Sequence, residues 1–264
     1  MIESSTIRVA LVGSGGVAEA FARNISRSGA LHLVAIIARN EERGRAIATM
    51  CNTTWHARAE EAAAADIYII AVSDTAVASV AEALRIPERA IVVHTAGSIA
   101  MSAIPERGGR RGIIYPLQTF TAGRDIELRE VTLFLEADNE STLQEIRRIA
   151  SHISSKVEYA DSERRRVIHL AGVFVNNFTN HLYALGRDII ATEGLDFDTL
   201  KPLIAETAAK ALASDDPRMV QTGPARRGDR EVVAKHVAML GAESTKGKIY
   251  NDITDSIWET SKRI

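Results

Sequence analysis

The stretch Ile7-Arg8-Val9-Ala10-Leu11-Val12-Gly13-Ser14-Gly15-Gly16-Val17-Ala18 joins a short apolar, β-branched run to a G-x-G-x-x-A pattern, and an amphipathic helix pattern follows. That order is the dinucleotide-binding fingerprint, and each part has a physical task. Gly13 lets the chain leave the strand in a tight turn. Gly15 presents no side chain, so a pyrophosphate can approach the backbone. Ala18 stands where a third glycine is usual and is small enough for close helix–strand packing. The phosphates then sit on the free N–H groups at the helix N-terminus. Gly13, Ser14, Gly15, Gly16 and Val17 are therefore expected to hold the phosphates.

The next strand, Leu31 to Ile37, leads into Ala38-Arg39-Asn40. A site for NAD usually carries Asp or Glu here, bonded to the ribose hydroxyls. A carboxylate would repel a 2′-phosphate, whereas a guanidinium can grip it with paired bonds. Arg39, with Asn40 beside it and Arg43 one turn later, points to NADP(H).

The chain has 264 residues, 46% of them apolar and 25% charged, which is ordinary for a soluble globular protein with a real core. A net charge of −2 argues against a nucleic-acid or membrane surface role. The one cysteine, Cys51, cannot form an internal disulfide, which fits a reducing cytoplasm. The start, with Glu3 and its neighbouring serines, does not read as a signal peptide, and no apolar run approaches membrane-spanning length. The seven histidines are scattered without metal-ligand spacing, and no G-x-S-x-G elbow is present, so neither metal chemistry nor serine hydrolysis is expected.

Along the chain, strands and helices alternate: a helix near 16–28, a strand at 31–37, a helix at 41–50, an extended piece at 53–55 and an alanine-rich helix at 57–65. A strand at 67–72, a helix at 75–84 and a strand at 90–94 follow. The continuous apolar runs suit parallel strands covered on both faces. Strands at 113–115 and 131–135, a helix at 139–153 and a short strand at Val157 suggest additions at one sheet edge. From Asp161 the pattern is helical only: one long helix to about Ala191 with Gly194 as its stop, then helices near 198–214, 229–240 and 244–262. The expected architecture is an α/β Rossmann-type doubly wound sheet, residues 1–160, followed by an all-α domain, residues 161–264, with the active cleft between the halves.

On the long helix, His169, Gly172, Asn176, Asn180 and Tyr183 step by three and four, so an unbroken α-helix would set them on one face. Neutral hydrogen-bonding groups on an otherwise apolar helix read as the lining of a cleft, with Asn176 and Asn180 bonding a substrate oxygen; bonding within a helix or dimer interface is the alternative. Other candidates follow strand ends, where doubly wound sheets bind ligands. Ser73, Asp74 and Thr95 are expected near the cofactor, Gly97 and Ser98 beside the nicotinamide, and Gln118 and Thr119 on a small polar substrate. His169 or His94 is the expected proton source, since histidine is the side chain able to serve near pH 7. Arg226 and Arg227, in the loop before a helix capped by Asp229, could hold an anionic substrate.

Gly13-Ser14-Gly15-Gly16-Val17-Ala18, Tyr115-Pro116-Leu117-Gln118-Thr119-Phe120, the run Ala171 to His181 and the run Thr222 to Asp229 together resemble a bacterial family assigned as NADP oxidoreductases, nearly over the whole chain. The resemblance implies a Rossmann-like domain with a helical C-terminal domain, NADPH-linked hydride transfer and a homodimer built through the helical domain. The wider group includes ketopantoate reductases, pyrroline-5-carboxylate reductases and β-hydroxyacid dehydrogenases. Two departures stand out. The β-hydroxyacid dehydrogenases carry a catalytic Lys where this chain has Asn176, with Asn180 matching their Asn four residues later, and Asn is no acid. The family often has His where this chain has Tyr115. The expected activity is NADP(H)-dependent reduction of a small carbonyl or imine, carboxylate-bearing; the alternative is a non-catalytic NADP(H)-binding sensor or scaffold.

Overall fold

The computed structural model describes residues 6–106 and 110–262. The expectation about Glu3 and the start of the chain lies outside them. Two compact units divide after Asn177.

The first unit is built on one eight-stranded sheet in the order β3-β2-β1-β4-β5-β6-β7-β8. Its strands are β1 (Ile7–Val12), β2 (Leu31–Ile37), β3 (Thr54–His56), β4 (Ile67–Ile70), β5 (Ile91–His94), β6 (Arg110–Pro116), β7 (Leu133–Ala137) and β8 (Val157–Tyr159). β1 to β6 are parallel; β7 runs antiparallel to β6, and β8 parallel to β7. This is the doubly wound Rossmann arrangement, with β7 and β8 added at one edge as expected.

Alternation along each strand sends side chains to opposite faces. Val9, Leu11, Ile67 and Ile69 join one apolar layer with Phe21 and Ile25 of α1 (Gly16–Arg27), Ile47 of α2 (Glu41–Met50) and Ile146 and Ile149 of α4 (Glu140–Ser151). Ala10, Val12, Tyr68 and Ile70 join the other, with Ala81 of α3 (Val77–Ala83). Burial on both faces is why these strands read as continuous apolar runs.

The alanine-rich segment 57–65 is not a helix. It holds one short turn, Ala59–Glu61, in otherwise extended chain. From β3 the chain must cross β2 and β1 to reach β4, about 14 Å at strand spacing, and also return along the strand length. A helix advancing ~1.5 Å per residue is too short for that path.

The long helix is also interrupted. α5 (Ser162–Gly172) starts where expected, the Asp161 side chain accepting the Arg164 N–H at 2.8 Å. Residues Val173–Phe178 are wound as a π-helix before α6 (Thr179–Ala191). A π turn holds more residues than an α turn, so a step of three and four does not follow one face through 173–178. The compact first unit also runs beyond residue 160, because α5 is anchored in it. Arg165 is wholly buried, paired with Glu136 of β7, and donates to the Ile99 carbonyl at 2.6 Å.

The second unit contains α6, α7 (Lys201–Leu212), α8 (Pro224–Arg227), α9 (Arg230–Leu240) and α10 (Thr245–Ser261). Gly194, at φ +72, ends the helical run as expected. Asp229 caps α9 by accepting the Val232 N–H at 3.3 Å. Among its described residues only Gly247 is buried, and Leu182, Ile189, Leu203, Leu212 and Met239 are exposed.

Candidate functional site

β1 has β2 on one side and β4 on the other, so successive crossovers leave it in opposite directions. A crevice opens at that switch point, past the carboxyl ends of the strands. It holds a cavity of about 860 Å³ whose lining brings together Gly13, Ser14, Gly15, Gly16, Val17, Arg39, Asn40 and Ser73.

The glycines divide the work differently than the pattern suggests. Gly13 has φ +133, and a Cβ there would lie 2.1 Å from the Ala71 carbonyl oxygen. The end of β1 passes too near the end of β4 for any side chain. A Cβ on Gly15 would meet nothing within 4 Å, so the space above it is open. Gly16 is small for a structural reason, since a Cβ would come 2.9 Å from the Phe120 carbonyl oxygen. No side chain caps the N-terminus of α1, so its first N–H groups and its positive end remain for an anion.

Arg39 is exposed at the end of β2, and among the described residues its guanidinium has no hydrogen bond or ion pair. Arg43 is not free in this way. Its Nε donates to the Ser14 carbonyl at 2.9 Å and its Nη2 pairs with Glu19 at 3.2 Å. Glu19 also pairs with Arg23 and accepts the Gly123 N–H at 3.0 Å. Burial would push the Glu19 carboxyl up, but these donors and charges hold it below the ordinary glutamate value. Arg43 and Glu19 thus brace the glycine loop. Asn40 spends its Oδ1 on the Arg43 N–H at 3.0 Å, capping α2. Arg58 and Glu60 of the extended crossover also line the cavity. Sequence reading missed them because it assigned 57–65 to a helix.

Asp74 and Thr95 do not line this cavity. Thr95 is buried, its hydroxyl directed at the Ile70 carbonyl at 3.4 Å. Asp74 accepts a hydrogen bond from the Ser98 hydroxyl, tying the turn after β4 to the loop after β5. Gln118 is exposed, its Oε1 accepting the Thr119 N–H at 2.8 Å.

His94 is withdrawn as a proton source by its surroundings. It has no exposed surface, its Nδ1 accepts the Ala96 N–H at 3.2 Å, and its Nε2 lies 3.4 Å from the Ala100 carbonyl. Burial lowers its pKa to about 4, the nearby Arg165 charge adding to the effect, so the ring is neutral at pH 7. Its task is to staple the loop 95–100.

His169 is different. It is half-buried on α5, one turn beyond Arg165, and its Nδ1 lies 3.1 Å from the Tyr115 hydroxyl. The loop after β5 packs on this pair: a Cβ on Gly97 would come 2.7 Å from both the His169 Nδ1 and the Tyr115 ring. Gly97, Tyr115 and His169 are therefore in contact, which strand-end spacing alone did not show. Asn176 lies in the π segment, and among the described residues its side-chain amide has no partner.

In the second unit, the Arg226 Nη1 donates to the Gln221 carbonyl at 2.8 Å and the Met219 carbonyl at 3.3 Å, bracing its own loop. Its Nη1 is engaged in that loop. Arg227 is exposed, and among the described residues its guanidinium has no partner. Among the described residues the side-chain amide of Asn180 has no partner either.

The chain is similar to known proteins. A family model described as NADP oxidoreductase coenzyme F420-dependent matches residues 8–97, and one described as a domain of unknown function, DUF2520, matches residues 131–257. A Bacteroides fragilis protein of known structure, assigned as an NADP oxidoreductase, is 34% identical over 97% of this chain and 100% of that chain, with a TM-score of 0.87. A protein from Thermotoga maritima is 23% identical over 96% and 99% of the two chains, with a TM-score of 0.81. A pyrroline-5-carboxylate reductase from Coxiella burnetii is 13% identical over 98% of each chain, with a TM-score of 0.58. The last two share the fold. No curated protein matches the chain.

Proposed function

The chain belongs to this family of NADP oxidoreductases, with NADP(H) as its cofactor, and on that premise we propose that it reduces a small carbonyl or imine substrate bearing a carboxylate. The carrying observation is the uncapped N-terminus of α1 opening on the switch-point cavity, with Arg39, which has no partner among the described residues, at the end of β2. Gly13 to Val17 would hold the pyrophosphate, and Arg39 would hold the 2′-phosphate. Ser73 lies on the same cavity. When bound, the cofactor supplies a hydride.

His169 holds the proton that the substrate's oxygen or nitrogen takes up. Asn176, Gly97, Ser98, Gln118 and Thr119 border the substrate. An imine bearing a carboxylate is the form of substrate named for the Coxiella neighbour. We also propose a homodimer formed through the helical unit, whose apolar faces are exposed in one copy, and a cytoplasmic location. Light scattering of the purified protein tests the dimer: a monomeric mass rejects it.

Fluorescence titration with NADPH and NADH tests the cofactor assignment. NADPH should bind at least tenfold more tightly, and Arg39→Ala should abolish that margin while leaving NADH affinity unchanged. Equal loss for both cofactors removes Arg39 from the 2′-phosphate. Loss of NADPH absorbance with 2-oxo acids and cyclic imines then tests turnover. Tight NADPH binding with no turnover across both classes would instead favour the sensor.

A further inference from the structure

We propose that Tyr115 is a positioning residue: its buried hydroxyl donates to the Nδ1 of His169 and fixes the neutral ring as the tautomer that carries its proton on Nε2. The inference rests on the reading of His169 as the group that serves the substrate, and it names which nitrogen does so.

Three observations carry it. The hydroxyl lies 3.1 Å from Nδ1, and among the described residues it has no other hydrogen-bond partner. Tyr115 is only 8% exposed, and a buried phenol needs an acceptor for its proton. The contact is clamped from several sides. The two rings meet edge to face with centroids 6.0 Å apart, Phe134 stacks on Tyr115 at 6.4 Å, and Gly97 leaves no room for even a methyl group. The Arg165 anchor, one helical turn before His169, holds α5 against β7.

A neutral imidazole has one N–H donor and one acceptor nitrogen, and the bond made by one nitrogen decides the state of the other. Burial pushes the Tyr115 phenol above its ordinary value, so it keeps its proton at neutral pH and acts as the donor. The acceptor is then Nδ1, and the ring's own proton sits on Nε2. If the ring gains a second proton at Nδ1, the hydroxyl oxygen accepts a hydrogen bond from it. This doubly protonated ring is the state that can give its Nε2 proton to the substrate, leaving a neutral ring with its proton on Nδ1 that then returns to the Nε2 form. Another tyrosine–histidine contact, Tyr250 with the His236 Nδ1 at 2.8 Å, is exposed, so water competes there and imposes no such choice.

The test is a long-range proton–nitrogen correlation spectrum of ¹⁵N-histidine protein without cofactor, at a pH where the ring is neutral. His169→Gln identifies the His169 signals by their loss. The expected spectrum has Nδ1 unprotonated and Nε2 protonated, with both shifts moving toward an averaged mixture in Tyr115→Phe. A proton on Nδ1 in the native protein overturns the inference, as does an unchanged tautomer in Tyr115→Phe. The native spectrum decides even if that variant does not fold. With cofactor and substrate, Tyr115→Phe should lower kcat/KM about tenfold without changing the KM for NADPH. Full turnover by His169→Ala would reject the role of His169 in the proposed reaction, while leaving the tautomer result as measured.

Discussion

Lowering the pH from 7.5 to 5 should destabilise the first unit through His94. The ring is buried and neutral, with a pKa of about 4 against 6.5 for a free histidine. Between those values the unfolded chain binds a proton that the native ring refuses, so stability rises with pH. This contribution is fully present above about 6.5 and is lost as pH falls toward about 4. At pH 5 the unfolded ring is almost fully protonated and the native ring almost fully neutral. Linkage over that interval gives a loss of about 2 kcal/mol, a fall in Tm of about 4–8 °C for a unit of this size. The assay is thermal unfolding of native protein and of His94→Asn, whose Oδ1 can still accept the Ala96 N–H, at a series of pH values. His94→Asn should start less stable, because the smaller side chain leaves a void. Its Tm should nevertheless fall less steeply between pH 6.5 and 4. Parallel curves for the two proteins would show that His94 is not the proton-refusing group.

Gly13→Ala should abolish NADPH binding or prevent folding, costing about 3 kcal/mol or more, because it combines φ +133 with a Cβ 2.1 Å from the Ala71 oxygen; near-native binding and Tm would refute the close approach. Glu136→Gln should cost about 3–5 kcal/mol by chemical denaturation, since it leaves the wholly buried Arg165 without a counter-charge; a loss under 1 kcal/mol would show that water reaches the pair. Arg226→Ala should lower Tm by releasing the 219–228 loop, whereas Arg227→Ala should leave it unchanged. Equal Tm values for the two variants would refute the brace.

The doubly wound sheet was legible because its signals are local. Val9 to Val12 and Ile67 to Ile70 are apolar at every position since both faces are covered, and the turn at Gly13 and the caps at Asp161 and Asp229 depend on a few neighbouring residues. The cavity residues from Gly13 to Val17, with Arg39, Asn40 and Ser73, follow from the same short-range pattern. Distance across the fold decided the rest. The path from β3 to β4 overrode the helix preference of the alanines at 57–65. The π segment at 173–178 broke a stripe that α-helical arithmetic extends through Asn176. Nothing near His94 in the chain shows that a sheet and a loop remove it from water, while Tyr115 and His169, 54 positions apart, meet only because β6 and the Arg165-anchored α5 converge. Periodicity and turn chemistry act over a few residues and are written in the chain. Burial, ionisation and the pairing of remote side chains depend on which surfaces pack together, and that is settled in three dimensions.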